Sequence, residues 1–299
     1  VTSNSGRGGA YRVVVTGHAS LDYPALVGAL PAPDTTCIIE RRLSRWWPAF
    51  GGCGGLVTRW LAAHGITAQL VTWVGDDDLG RRYLDRLERA GVDVAAVVVT
   101  PDARTGVSHL YYATTGEAVN FYDGGGSDCD VATDVQLEMA RTADWLCVTP
   151  APYGVNAALL DAAGADTKVS WVVKADPMSF PPDFVRQILA RSALVTFSRG
   201  ERSFLREATG RERPLELLGR EGFAVETHGR EGVRLFTAEG APFLPVEPVE
   251  AVDATGAGDI FHAGMLTYFI QICANPLAAA RAGVDAARQF LLDDSWRSL

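Results

Sequence analysis

The sequence predicts an α/β fold, with a mainly parallel central sheet, helices on both faces and a small β-sheet lid. Three observations carry the prediction. Short β-branched runs alternate with helical segments from one end of the chain to the other. Within those segments the apolar residues recur at helical spacing. Two stretches break the alternation and read as antiparallel strands.

In chain order, YRVVVTG (11–17), ITAQLVTWVG (66–75), DWLCVTP (144–150), VSWVVKADP (169–177), LVTFS (194–198) and FAVETHG (223–229) are the expected sheet strands. DLGRRYLDRLERAG (78–91), GVNAALLDAAG (154–164) and PDFVRQILARS (182–192) are the expected helices between them. In a sheet wound this way, ligands bind beyond the carboxyl ends of the strands. The two exceptions are IIERRLSRWW (38–47) and RTGVSHLYYATTGEAVNFYDGGG (104–126), the second a hairpin turning at Thr115-Gly116. They are expected to form the lid, over about residues 35–48 and 104–123; an edge hairpin on the main sheet is the alternative. No internal repeat or long linker interrupts the chain. Residues 11–299 therefore read as one domain, and 1–10 as a disordered tail.

Composition narrows the function classes. The chain has 299 residues, 47% apolar and 21% charged, as in an ordinary water-soluble globule. Its net charge of −9 argues against a nucleic-acid surface, which would carry a basic stripe. It leaves phosphorylated ligands open, because a few backbone N–H groups can hold a phosphate locally. Cysteines at 37, 53, 129, 147 and 273 form no CxxC pair, so reduced thiols are expected. The start of the sequence has no apolar signal-like run, and the longest apolar stretch, 263–274, is too short to span a bilayer. A cytoplasmic protein with no membrane partner is the expectation.

The most informative stretch is VDATGAGDIFHAGMLTYFI, residues 252–270. Gly256-Ala257-Gly258 makes a tight turn before a helix that is apolar almost all round and hence buried. Amides at a helix start, unshielded by bulky side chains, form an anion site. Asp259, in the first turn, stands beside it. A base next to an anion hole is what phosphoryl transfer to a hydroxyl requires. A dinucleotide fingerprint would need glycine where Phe261 stands, and neither lysine, Lys168 or Lys174, follows a glycine as a Walker A loop demands. The loop by itself leaves a second reading open, in which the glycines only turn the chain and Asp259 caps the helix.

DATGAGD followed by IFHAG resembles the C-terminal signature of the ribokinase-like (PfkB-type) kinases, D-T-x-G-A-G-D followed by F-x-A-G. GGCGGLVTRWLAAHG (51–65) and VGDDDLGRRYLDRLERAGVDV (74–94) resemble the family's N-terminal signature. GHASLDYPALV (17–27) looks like its first strand and substrate aspartate, closest to the nucleoside kinases of archaeal type. The resemblance runs from about Tyr11 to Phe290 with order and spacing kept.

The resemblance implies roles for named residues. Asp259 would be the general base, with Gly256, Ala257 and Gly258 the anion hole. Asp22 would accept hydrogen bonds from substrate hydroxyls, with Ser20 two residues before it. Gly51 and Gly52 would let the backbone approach the substrate closely. Thr227, Gly229 and Gly232 would form the nucleotide-side loop. Glu201 would help place Mg²⁺ through water, in a motif whose usual asparagine is here Ser198. ATP and Mg²⁺ are the implied cosubstrate and metal.

Departures from the pattern carry information as well. Leu56 replaces an asparagine that usually touches substrate. The terminal LLDDSWRSL lacks a glycine-containing segment that often helps bind a monovalent cation, so no potassium requirement is expected. Asp76-Asp77-Asp78 reads as a solvated turn before a helix, and His228 and His262 as polar or structural groups. Trp46, Trp47, Tyr111, Tyr112, Phe121 and Tyr122 read mainly as lid packing, since alternation turns only half of them toward a ligand.

The expected activity is transfer of the γ-phosphate of MgATP to a primary hydroxyl of a sugar or nucleoside, with a nucleoside 5′-hydroxyl favoured. A kinase for a fructose-like sugar or a sugar acid is the first alternative. A non-catalytic ligand-sensing pseudokinase is the second, favoured by Ser198, Leu56 and the atypical C-terminus and opposed by the intact GAGD and Asp22. The lid offers edges through which a homodimer could pair.

Overall fold

The computed structural model describes residues 11–219, 221–251, 253–272 and 275–298. The expected tail, 1–10, and Cys273 lie outside the described residues. The elements run β1 (Arg12–Thr16), β2 (Ser20–Val27), β3 (Ile39–Arg42), β4 (Ala49–Gly51), α1 (Cys53–Ala63), β5 (Thr67–Gly75), α2 (Asp78–Arg89) and β6 (Val97–Thr100). Then come β7 (Val107–Ala113), β8 (Ala118–Asp123), α3 (Asp134–Thr142), β9 (Trp145–Val148), α4 (Tyr153–Ala162), β10 (Lys168–Val172), α5 (Pro182–Arg191) and β11 (Ser192–Ser198). The chain closes with α6 (Arg202–Thr209), β12 (Phe223–Thr227), β13 (Gly232–Phe236), β14 (Phe243–Pro245), α7 (Ala257–Gln271) and α8 (Pro276–Leu292).

Nine strands form the main sheet in the order β14-β13-β12-β11-β10-β9-β1-β5-β6. From β12 to β6 every pairing is parallel, and only β13 and β14 run antiparallel at one edge. All six predicted strands and all three predicted helices are present, within a few residues of their expected ends. Strand β1 shows why the parallel strands read as continuous apolar runs. Val14 packs into the core beneath α3–α6, while Val13 and Val15 pack into the core beneath α1, α2, α7 and α8. Both faces are buried, so the β-branched run needs no polar alternation.

The second sheet has the order β3-β2-β7-β8, with β4 also on β2. Its β7–β8 hairpin turns at Thr115-Gly116 as predicted, with Gly116 at φ 103°. The lid sheet is larger than the expected segments, because it also takes in β2 and β4. Strand β2 is buried at six of its eight positions, so it reads like a main-sheet strand although it pairs with β3, β4 and β7. Asp77 ties the two sheets together. Its carboxylate caps α2 through the Gly80 amide at 2.7 Å and accepts from the Thr105 hydroxyl at 2.7 Å and the Thr105 amide at 3.0 Å. The Asp76–Asp78 run is thus a helix start, as expected. Among the described residues no helix is long and apolar enough to cross a membrane.

Candidate active site

Two cavities open at the carboxyl ends of the parallel strands. The larger, about 1430 Å³, lies between the main sheet and the lid; the other, about 1130 Å³, lies between the β12–β14 edge, the start of α7 and the middle and end of α8. Thr227, Ala254 and Gly258 line both, so the cavities meet at the loop that opens α7. A donor and an acceptor of a phosphoryl group could therefore approach one point from opposite sides.

The meeting point is built by the DATGAGD loop. Gly256 is the N-cap of α7 and adopts φ 86°, a left-handed conformation that a side chain would strain. A Cβ there would also come within 2.6 Å of the Leu56 side chain. Gly258 lies inside the first helical turn without such a constraint, and a Cβ added to it would meet nothing within 4 Å. Its smallness leaves the cavity side of the helix start open. The Ala257 amide is turned back onto the Ala254 carbonyl at 3.1 Å, which takes it out of the expected anion hole. Among the described residues the Gly258 and Asp259 amides have no backbone acceptor.

Asp259 is 4% exposed and lines the larger cavity. The Lys174 ammonium stands 3.3 Å from its Oδ1. Burial opposes the lysine's charge, but Asp259, Cys53 and Glu201 together outweigh it, and the ammonium's pKa lies above its ordinary value. Cys53, at the start of α1, lines the same wall; burial and then the Asp259 charge push its thiol well above the ordinary range.

The lid side carries the second carboxylate. Asp22, on β2, is buried, and its Oδ1 accepts from Ser20 Oγ at 2.7 Å; Ser20 Oγ also lies 2.9 Å from Ser108 Oγ. Burial raises the Asp22 pKa from 3.8 to about 7; the Ser20 bond opposes this, and the charges of Asp253 and Asp259 add to it. Gly51 is opposite Ser20 across the β2–β4 ladder, and a Cβ on it would fall 2.2 Å from the Asp22 carboxylate. Gly52, at φ 81°, lines the cavity and would set a Cβ 2.5 Å from the His18 carbonyl. Gly51 is therefore required by the Asp22 carboxylate, beside which it stands, and Gly52 by its left-handed conformation and the close His18 backbone.

The remaining expected residues are spread along the sheet end. Thr227 lines both cavities and Gly229, at φ 57°, lines the smaller one. Gly232 lines neither. It has φ 138°, and a Cβ would approach the Leu244 carbonyl to 2.2 Å, so it serves the β13–β14 pairing. Ser198 and Glu201 line the larger cavity, and Glu201 Oε2 accepts the Ser198 amide at 2.6 Å in a capping box. His262 is a core histidine: Thr196 Oγ1 and Ser170 Oγ flank its ring nitrogens at 2.9 and 3.1 Å, and burial lowers its pKa to about 3. His228 lies 2.8 Å from Glu226. In the lid, Tyr112 and Tyr122 face the cavity while Phe121 is 61% exposed, which is the alternation expected of β7 and β8.

Sequence reasoning missed three features of the site. Lys174 belongs to no motif, although a lysine just past a parallel strand, one of only two in the chain, was a usable signal. Tyr112 reaches the α7 loop, its hydroxyl 2.7 Å from Thr255 Oγ1. His18 Nδ1 pairs with Asp128 Oδ2 at 2.9 Å at the cavity rim. The last two contacts join residues far apart in the chain and leave no local pattern.

Known proteins resemble the chain throughout. A relative from Halopiger xanaduensis, the ATP-dependent ribose-1-phosphate kinase, is 27% identical over 290 residues, 93% of this chain and 94% of that protein. The nucleoside kinase of Methanothermobacter thermautotrophicus is 22% identical, over 87% of this chain and 82% of its own length. Among solved structures, the Methanocaldococcus jannaschii nucleoside kinase, an archaeal member of the ribokinase family, superposes with a TM-score of 0.75 at 17% identity. That match covers 96% of this chain and 93% of the other, so the fold is ribokinase-like. The family model for the pfkB family carbohydrate kinases matches residues 12–293, and the chain belongs to that family.

Proposed function

We propose that the protein transfers the γ-phosphate of ATP to a primary hydroxyl of an uncharged sugar or nucleoside, with a nucleoside 5′-hydroxyl preferred. One observation carries this reading: Asp259, paired with Lys174, stands where two cavities meet beside the Gly258 helix start. ATP would enter from the side of Thr227 and Gly229 and the acceptor from the side of Asp22. Asp22 would accept hydrogen bonds from acceptor hydroxyls and hold the acceptor in register. Asp259 would take the proton from the attacking hydroxyl as the O–P bond forms, and the phosphoryl oxygens would face the Gly258 and Asp259 amides. ADP leaves with the electrons of the broken bond. The lid would exclude water so that ATP is not spent on hydrolysis.

The residues present fit a magnesium ion carried mainly by phosphate. Among the described residues no group of three or more His, Cys, Asp or Glu is arranged to hold a metal by itself. Mg²⁺ on phosphate oxygens needs only one or two carboxylates, and Glu201, through water, is the candidate. Bound there, the ion would neutralise charge on the β- and γ-phosphates.

The charge of the larger cavity bears on the acceptor. Asp22, Asp128, Asp130, Asp176, Glu201 and Asp259 line it, against Lys174 and His18, and among the described residues no arginine does. An acceptor bearing its own phosphate or carboxylate would meet like charge there, which weighs against a sugar acid and against ribose 1-phosphate. Tyr112, Tyr122 and Leu56 on the cavity wall support a flat, partly apolar base instead. Fructose-like sugars remain the second reading, supported by the same uncharged character. The test is an ADP-release screen with MgATP of nucleosides, pentoses, hexoses, sugar acids and ribose 1-phosphate. A nucleoside should give the highest kcat/KM; a free sugar ahead of every nucleoside would replace the first reading by the second. An anionic acceptor ahead of all neutral ones would overturn the charge argument.

A further inference from the structure

The loop that opens α7 is gripped from behind by the turn that follows α8. Asp253, its first residue, is 6% exposed, and Arg297 is 4% exposed. Arg297 Nε lies 3.2 Å from Asp253 Oδ2, and Nη2 donates to the Asp253 carbonyl at 2.8 Å. The other carboxylate oxygen, Oδ1, accepts the Thr255 amide at 2.8 Å, so Asp253 passes the grip on to the turn before Gly256. The guanidinium also lies over the Phe290 ring, 4.4 Å from its centre. Phe290 in turn packs under Gly256, where a Cβ would come within 3.2 Å of it. One side chain thus orients both the carboxylate and the carbonyl at the root of the phosphate-facing turn.

The segment that presents Arg297 is itself held. A short 3₁₀ turn, Asp294–Arg297, follows α8. Its carbonyls accept from Arg59 Nη1 (Trp296 O, 2.8 Å) and Trp46 Nε1 (Asp294 O, 3.2 Å), and Arg45 pairs with the Asp294 carboxylate at 2.9 Å. Arg45 and Trp46 lie between lid strands β3 and β4. The terminal turn is therefore connected to the lid on one side and to the α7 loop on the other. Three side chains, Arg59, Trp46 and Arg45, thus fix the turn that carries Arg297.

We infer that Arg297 is a positioning residue for phosphoryl transfer: its guanidinium neutralises Asp253 and sets the α7 loop so that the helix-start amides face the phosphate. The inference rests on the kinase reading above. Without the guanidinium, Asp253 would be a buried, unpaired carboxylate next to the place where a triphosphate must bind. It would repel ATP, leave the turn free to shift, and add its uncompensated charge to the field at Asp22.

The test compares Arg297→Lys, Arg297→Gln and Arg297→Ala with the wild type, each checked for folding by its thermal transition. The expected kcat is lower by about 10–100-fold in the Gln and Ala variants, as for loss of a preorganised electrostatic element. MgATP affinity should fall, and the acceptor KM should change far less at a pH where Asp22 is ionised. The acidic limb of acceptor kcat/KM, which Asp22 governs, should move to higher pH. Millimolar ethylguanidinium should restore part of the kcat of Arg297→Ala, and Arg297→Lys should retain more than Arg297→Gln. A merely structural role would lower the folded fraction and leave these readouts of the folded enzyme in place. MgATP affinity, measured by calorimetry, needs no acceptor. If the wild type binds MgATP but turns over no acceptor, the kinase reading fails while loss of affinity in Arg297→Gln still supports the clamp. Folded Gln and Ala variants with wild-type MgATP affinity and turnover would overturn it.

Discussion

The Lys174 ammonium lies 3.3 Å from Asp259 Oδ1, with the aspartate almost wholly buried and the lysine 35% exposed. A parallel strand end and a helix start are thereby joined by one ion pair at the proposed point of phosphoryl transfer. Lys174→Met should fold, because the lysine is partly exposed and its stem is apolar. It should lower kcat by about tenfold or more, since it removes a fixed charge beside the reacting groups, and leave the acceptor KM within about threefold. An unchanged kcat would remove Lys174 from the site's chemistry.

Asp22 offers a pH test. Its pKa stands near 7 in the folded chain against 3.8 ordinarily, so the native state binds this proton more tightly than the unfolded state. Between about pH 4 and 7 the native protein holds more of the proton, and the stability this group contributes is present below that window and lost as pH rises through it. Asp22→Asn, which cannot ionise, should therefore raise the melting temperature relative to wild type at about pH 8 and much less at about pH 5. In activity the direction is opposite. Acceptor kcat/KM in the wild type should fall below about pH 7 as the carboxylate is protonated, and this limb should vanish in the variant along with most acceptor affinity. Equal shifts in melting temperature at both pH values would contradict a buried, proton-retaining Asp22.

The two glycines of the α7 loop should separate folding from activity. Gly256→Ala forces a side chain into φ 86° and against Leu56, so it should destabilise by about 1–3 kcal/mol. Gly258→Val has a permitted backbone and open space, so it should cost no more than about 1 kcal/mol of helix propensity. Its side chain would nonetheless occupy the helix start that phosphate must approach, and turnover should collapse. A Gly258→Val variant that is folded and fully active would remove the anion-site role there.

These contrasts show what the sequence made legible. The parallel strands, the lid hairpin and the GAGD turn are local patterns, and each stood within a few residues of where periodicity and turn chemistry put it. The family signature added the roles proposed for those turns. What escaped were pairings between distant elements: Lys174 with Asp259, Tyr112 with Thr255, Arg297 with Asp253. None leaves a periodic trace. Strand β2 was legible only through the family resemblance, since burial at six of its eight positions removes the alternation of a lid strand. Gly232 shared a motif with Gly229 but owes its conformation to β14.

Monovalent cations supply a further check. The Asp253 carbonyl and carboxylate already face Arg297, which supports the expectation of no potassium requirement. Replacing KCl by NaCl or choline chloride at constant ionic strength should change kcat by less than about twofold, as for an ion with no state-specific site. A strong, saturable activation by potassium would contradict it.

The central claim is that Asp259 removes the acceptor proton at the junction of the two cavities. Asp259→Asn keeps the size and the helix-start geometry of the side chain but cannot take a proton. ADP release on the best acceptor should fall by about 10²–10⁴-fold, with MgATP affinity and the thermal transition close to those of the wild type. A folded Asp259→Asn enzyme that retains near wild-type kcat would contradict the account.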